Sequence, residues 1–196
     1  NRERLLERLI NNQDDLYILG QPPKEIDTVA QAFLENPLIV LAPSNHPLVN
    51  KKKITLKRIA EEPFLSRELG SGTRIAIERI FSEQGLQLNT RIELGSNEAI
   101  KQAVIGGLGI SILSRHTLAL DGPMGQLAVL DVEDFPINRQ WYYAYLSGKK
   151  ISVVAEAFLS YLKQAPEHLT DLSCHHAEVG HCPLMHENKS CAISKK

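Results

Sequence analysis

The stretch PFLSRELGSGTRIAIERIFSEQ (residues 63–84) decides the fold. Phe64, Leu65 and Ser66 read as the end of a buried strand. Gly70-Ser71-Gly72-Thr73-Arg74 follow as a glycine-rich turn. A helix then runs to about Gln84, with Ile75, Ile77, Ile80 and Phe81 at helical spacing. The same unit occurs again in RIELGSNEAIKQAVIGGLGISIL (residues 91–113): strand Arg91 to Leu94, turn and cap Gly95-Ser96-Asn97, and a helix to Ile105. Gly106, Gly107 and Gly109 end that helix and lead to an apolar strand, Ile110 to Leu113. Strand–turn–helix units in series predict an α/β fold with largely parallel sheets.

Outward from this core the pattern continues. Leu5, Leu6, Leu9 and Ile10 define one face of an opening helix over residues 2–12, with Asn1 as its N-cap. DLYIL (15–19) and LIVLA (38–42) are short buried strands, each closed by prolines. Thr55 caps a short helix that turns Leu56 and Ile59 inward. LAVLDV (127–132) and QWYYAYL (140–146) are further strands. A final amphipathic helix carries Val153, Val154, Ala157, Phe158, Tyr161 and Leu162, and Pro166 ends it. From Glu167 the periodicity stops. The last 30 residues, 167–196, hold every cysteine of the chain and five of its seven histidines, and are expected to be a disordered tail.

Composition excludes several classes. With 22 basic and 23 acidic side chains the net charge is −1, so no basic excess marks a nucleic-acid surface. No apolar run approaches the roughly 20 residues of a membrane-spanning helix, so no membrane partner is expected. Cysteines confined to a tail, and odd in number, make a poor disulfide framework and fit a reducing, cytoplasmic setting. The chain opens without Met, directly in helix-like sequence, and is expected to be a fragment or a processed product.

Ligands of open α/β sheets sit beyond the carboxyl ends of the strands. Three strand ends here lead into small polar groups: Ser66, then Gly95-Ser96-Asn97, then Ser114-Arg115. Two of these open helices, whose free N–H groups and dipoles favour an anion. Taken singly, each such turn is more often an ordinary cap. Together they balance evenly between capping and an anion-binding cleft. No G-x-S-x-G elbow, H-E-x-x-H pair or P-loop lysine is present, so no enzyme is expected. His46, in a turn, and His116, at a strand end, lack partner motifs for acid–base work. In the tail, Cys174, His176, His181 and Cys182 are the candidate metal ligands by residue type. Their spacing matches no standard finger, and a tail without metal is the favoured reading.

The strings DDLYILGQPP, ENPLIVLAPSNHPL, EEPFLSRELGSGTR, ELGSNEAIKQAVIGGLGISILSRHTL and FPINRQWYYAYLSGKKISVVAEAFLSYL carry a resemblance. Over about residues 1–165 the chain resembles the effector-binding domain of LysR-type transcriptional regulators. The likeness is to the cyanobacterial and plastid branch controlling carbon-assimilation genes, including those for rubisco and bicarbonate uptake. The resemblance implies two Rossmann-like α/β lobes of the type 2 periplasmic-binding-protein kind, joined by two crossing strands. Residues 1–40 and 139–166 would form the first lobe, N-terminally truncated, and residues 41–138 the second. The winged helix-turn-helix of the family has no counterpart here. A small anionic effector would lie between the lobes, with no other cofactor. It would contact Asn1, Ser66, Arg67, Gly70, Ser71, Gly72, Thr73 and Asn97. The branch implies 2-phosphoglycolate, ribulose bisphosphate or 2-oxoglutarate as effectors. It also implies a homo-oligomer, dimer or tetramer, that meets promoter DNA through the missing domain. A solute-binding protein of a transporter, sharing fold and cleft, is the alternative.

Overall fold

A computed structural model describes residues 1–118 and 125–164. The chain opens with helix α1 (Arg2–Ile10), capped by the Asn1 side chain, which accepts from the N–H of Arg4. Strands β1 (Tyr17–Leu19) and β2 (Thr28–Glu35) then flank β8 (Gln140–Leu146) in a three-stranded antiparallel sheet, order β1-β8-β2. One face of this sheet packs Leu9 of α1 against Tyr17, Leu19 and Ala144. The other packs Tyr143 and Phe33 against Leu159 and Leu162 of α5 (Val153–Gln164).

The second group of elements is larger. Strand β3 (Leu38–Pro43), buried along its whole length, pairs antiparallel with β6 (Ser111–Ser114) and β7 (Leu127–Val129). Strands β4 (Phe64–Arg67) and β5 (Thr90–Leu94) pair in parallel. Helices α2 (Leu56–Glu61), α3 (Gly72–Glu83) and α4 (Asn97–Ile105) cover them. Phe64, Phe81, Ile59 and Ile110 build one core cluster here, and Leu41, Leu65, Ile100 and Leu113 another. Side chains of this size, fully buried, are each worth about 1.5–3 kcal/mol of transfer free energy.

Among the described residues two short segments join the groups, residues 36–37 and 137–139. They run side by side. The N–H of Asn36 donates to the carbonyl of Arg139 (2.7 Å), and Leu38 and Ile137 exchange both backbone bonds (3.0 Å each). The result is the expected pair of α/β lobes on two connecting strands.

Three expectations need correction. The sheets are not largely parallel: among the described ladders only β4 with β5 is parallel, beside single parallel bridges such as Phe64 to Ile110. The strands that leave the connecting segments, β3 and β8, run against both their neighbours, which the alternation of helix and strand does not reveal. Strand β2 went unread because its inward positions include Ala30 and Ala32, which give little periodic signal. In α5 the buried positions are Ala155, Leu159 and Leu162, while Val153, Val154, Phe158 and Tyr161 are exposed. Two apolar stripes share that helix, and period alone does not choose between them.

A polar lock fastens α1 to the loop before α5. Arg8 donates to Asp14 (2.7 Å), Lys149 reaches the Asn12 side chain (2.7 Å), and Ser152 donates to Asp15 (2.7 Å). Asp14 is held below the usual carboxylate range chiefly by the hydrogen bond from Arg8, and Asp15 chiefly by that from Ser152. A depressed folded pKa stabilises the fold above the unfolded value, near 4, and that contribution is lost as pH falls through the folded value. Acid titration of stability should therefore flatten below about pH 4 in the double variant Asp14→Asn, Asp15→Asn. An unchanged acid limb would refute this.

Candidate functional site

The site begins where β4 ends. Gly70 takes a left-handed conformation (φ 79°) that turns the chain, and Ser71 sits at the N-cap of α3 without a side-chain capping bond. The first-turn N–H groups of α3 are therefore not taken up by a cap. Across from this turn lies the start of α1. The Asn1 amide donates to the Leu69 carbonyl (3.2 Å), and the N–H of Glu3 to that of Gly70 (3.3 Å), so the two lobes touch here.

Between them is a cavity of about 520 Å³. Ser71, Gly72 and Thr73 form one wall. Ile18, Trp141 and Tyr142 give it an apolar side, and the connecting residues Asn36 and Arg139 close its back. Among the described residues no aspartate or glutamate lines it. Four arginines do: Arg2, Arg67, Arg79 and Arg139.

These four differ in what they are free to do. Arg67 is neutralised by Glu68 (2.8 Å) and also donates to the Asn97 side-chain oxygen. Arg79, on α3, has an exposed neighbour in Glu83 at 3.6 Å. Arg2 donates to the backbone oxygen of Gln21. Arg139 has a buried Nη1 with no partner among the described residues. Burial, followed by the nearby charges of Arg2 and Arg79, pulls its pKa below the ordinary arginine value. A buried donor on a cation, left unsatisfied beside other cations, is a poor structural choice. It is a good receptor for an anion.

Gly20 makes room for that guanidinium: a Cβ there would lie 2.6 Å from Arg139 Nη2. Gly20→Ala should displace Arg139, weakening anion binding about tenfold with little change in stability, because the clash is with the end of a flexible side chain. Calorimetric titration beside a urea melt checks both halves, and unchanged affinity would show that Arg139 is not the receptor.

Of the residues expected from sequence, the structure brings Asn1, Arg67, Ser71, Gly72 and Thr73 to this cavity. Gly70 lies against Asn1 and Glu3 at its rim. Ser66 is buried, donates to the Arg67 carbonyl (3.1 Å), and faces a separate groove beside Arg74 and Phe81. Asn97 reaches the site only through Arg67. Arg2, Arg79, Arg139 and Asn36 were missed. Arg79 was readable, since Gly72, Ile75, Ala76 and Arg79 share one helical face. Arg139 and Asn36 had no local signal.

The two body histidines serve the framework. His46 Nδ1 accepts from the N–H of Leu48 (3.3 Å), and His116 Nε2 meets the Glu35 carbonyl (2.6 Å). Cys174, His176, His181 and Cys182 lie outside the described residues; among the described residues no group of three or more His, Cys, Asp or Glu is placed to hold a metal. Among them, too, no helix is long and apolar enough to cross a membrane.

Comparison with known proteins agrees with this fold. A family model described as the LysR substrate binding domain matches residues 1–167. The transcriptional activator CmpR of Synechocystis sp. is 58% identical over 162 residues, covering 83% of this chain and 53% of that protein. The RuBisCO operon transcriptional regulator of Acidithiobacillus ferrooxidans is 54% identical over 162 residues, 83% of this chain and 52% of that protein. The chain thus spans about half the length of the curated relatives it matches. Among solved structures, the Synechocystis CcmR regulatory domain in complex with 2-PG superposes with a TM-score of 0.81 at 48% identity, covering 85% of this chain and 80% of that one. The effector-binding domain of QuiR, in complex with shikimate, shares the fold at 23% identity and a TM-score of 0.73, over 85% of this chain and 78% of that one. These relatives are regulators, and the transporter alternative gains no support from them. With its two lobes, its cleft and a family match over residues 1–167, the protein belongs to the LysR substrate-binding domain family.

Proposed function

We propose that this chain is the metabolite-sensing part of a DNA-binding regulator of carbon-assimilation genes, and that a small anionic metabolite binds in the cleft. The observation that carries the reading is Arg139: it lines a cavity to which the described residues bring four arginines and no carboxylate, and its buried guanidinium Nη1 has no partner among them. Arg2 and Arg79 add charge, and Ser71, Gly72 and Thr73 offer the open end of α3. The identity with CmpR and with the 2-PG-bound CcmR domain supports both the gene class and the ligand class.

The chain binds and releases its effector without turnover. Helices α1 and α5 with strands β1, β2 and β8 act as one body, and strands β3 to β7 with helices α2 to α4 as the other, hinged on the two connecting segments. The anion contacts both, with Arg2 and Arg139 on one side and Thr73 and Arg79 on the other. It therefore favours whichever arrangement brings these groups together. In a cytoplasmic homo-oligomer that shift reorients DNA-binding domains lying outside this chain.

Calorimetry with 2-phosphoglycolate, ribulose bisphosphate and 2-oxoglutarate tests the reading. At least one should bind, more weakly as salt rises, and Thr73→Ala should weaken it several-fold. If none of the three binds, the assignment of an anionic effector is wrong.

A further inference from the structure

A second set of inter-lobe bonds lies away from the connecting segments. One side of it is the first turn of α1, and the other is the turn that leads from β4 into α3. The Asn1 amide donates to the Leu69 carbonyl (3.2 Å), and the Glu3 N–H to the Gly70 carbonyl (3.3 Å). The first N–H groups of a helix have no partner within it. In α1 that of Arg4 is met by the Asn1 side chain, and that of Glu3 by the opposite lobe. The backbones come this close because Gly70 carries no side chain. A Cβ there would lie 3.0 Å from Glu3 Cβ and 3.2 Å from Asn1 Nδ2.

Each half of this contact is fastened to its own lobe. Leu9 buries α1 against β1 and β8. Across the cleft, the Leu69 N–H donates to Glu93 Oε1 (3.3 Å) and Arg74 Nη1 to the Arg67 carbonyl (3.1 Å), with Arg74 also paired to Glu93. Helix and turn therefore move with their lobes. Asn1, Arg2, Ser71 and Gly72 line the cavity beside this contact, as Ile137 and Arg139 line it beside the connecting segments.

Lobes joined at both places open only where the joint is weaker. The connecting segments are covalent. The α1 contact is two neutral hydrogen bonds, each biasing a two-state balance by about two- to tenfold. We infer that this contact is a latch: groups of the chain itself hold the lobes together, and an effector enters or leaves the cleft only when the latch lets go. The ligand in this inference rests on the anion reading above; the latch itself does not. A latch slows entry and release together, whereas a direct contact to the effector acts chiefly on release.

The double variant Glu3→Cys, Gly70→Cys tests it, in the full chain with Cys174, Cys182 and Cys191 replaced by serine. The two Cβ positions, 3.0 Å apart, need to part by less than about 1 Å to suit a disulfide. Under oxidation the bridge should form as completely without 2-phosphoglycolate as with it. Phosphorus NMR exchange should then show 2-phosphoglycolate entering and leaving at least about tenfold more slowly in the bridged than in the reduced form. Asn1→Ser keeps a capping oxygen but is too short to reach Leu69, and should speed both steps about threefold. A bridge that needs 2-phosphoglycolate, or never forms, overturns the latch, since the lobes then rest apart. Equal exchange in the bridged and reduced forms overturns its control of entry. Faster release with unchanged entry in Asn1→Ser makes Asn1 an effector contact instead. If 2-phosphoglycolate does not bind even the reduced form, the anion reading fails for this ligand, and bridge formation still decides whether the lobes are latched.

Discussion

Arg139→Gln is expected to lower effector affinity by at least about 100-fold while leaving the ligand-free chain no less stable, and by about 1 kcal/mol more so. Loss of affinity follows from removing a charge-assisted donor held in a partly dry cleft, where truncating one partner costs about 2–5 kcal/mol. The gain in stability follows from the ligand-free state. Arg139 is desolvated, has a buried N–H without an acceptor, and faces Arg2 and Arg79. Glutamine keeps part of the volume and removes the charge. A residue whose deletion stabilises the protein and abolishes binding is retained for function. Calorimetric titration and urea unfolding of the same preparation measure the two effects. Destabilisation by more than about 2 kcal/mol with binding intact would make Arg139 a structural residue instead.

The second large effect lies away from the cavity. Gly109 is buried, and a Cβ there would fall deep inside the contact distance of the Pro63 carbonyl oxygen. That oxygen accepts the N–H of Ile110 (2.9 Å), and the Ile110 carbonyl in turn accepts the N–H of Leu65 (2.9 Å). This seam aligns β4 with the strand beside it, and β4 runs directly into the turn that presents Ser71 and Thr73. Backbone cannot swing aside as a side chain can. Gly109→Ala should cost about 3 kcal/mol of stability, at the upper end for overpacking, and should weaken the effector as α3 shifts. Gly95→Ala is the control: a Cβ there meets nothing within 4 Å, so a change within about 0.5 kcal/mol is expected. Equal urea midpoints for the two variants would show that the seam is not rigid.

The two strand–turn–helix units were legible because both are local. Ile77 and Phe81 of α3, and Ile100 and Val104 of α4, are buried at the helical spacing visible in the chain. Ser71, Gly72 and Thr73 were legible for the same reason, since a glycine-rich turn before a helix shows itself in a few residues. Arg139 and Asn36 are another matter. Each is an unremarkable polar residue in its own neighbourhood, and what makes them a site is the pairing of two connecting segments far apart in sequence. Ser66 looked like a site residue by position, but the pleat of β4 sends its hydroxyl to the other side from Arg67. The antiparallel sheets were missed because the order of elements does not say which way a connecting strand enters the sheet.

The most direct test of an anion-sensing cleft held by Arg139 is a crystal structure of this chain with 2-phosphoglycolate. The account predicts an anionic oxygen within about 3 Å of the Arg139 guanidinium, and the ligand lying between Thr73 and Tyr142. A ligand bound elsewhere on the chain, or an Arg139 that keeps its N–H unpaired with the ligand present, would contradict it.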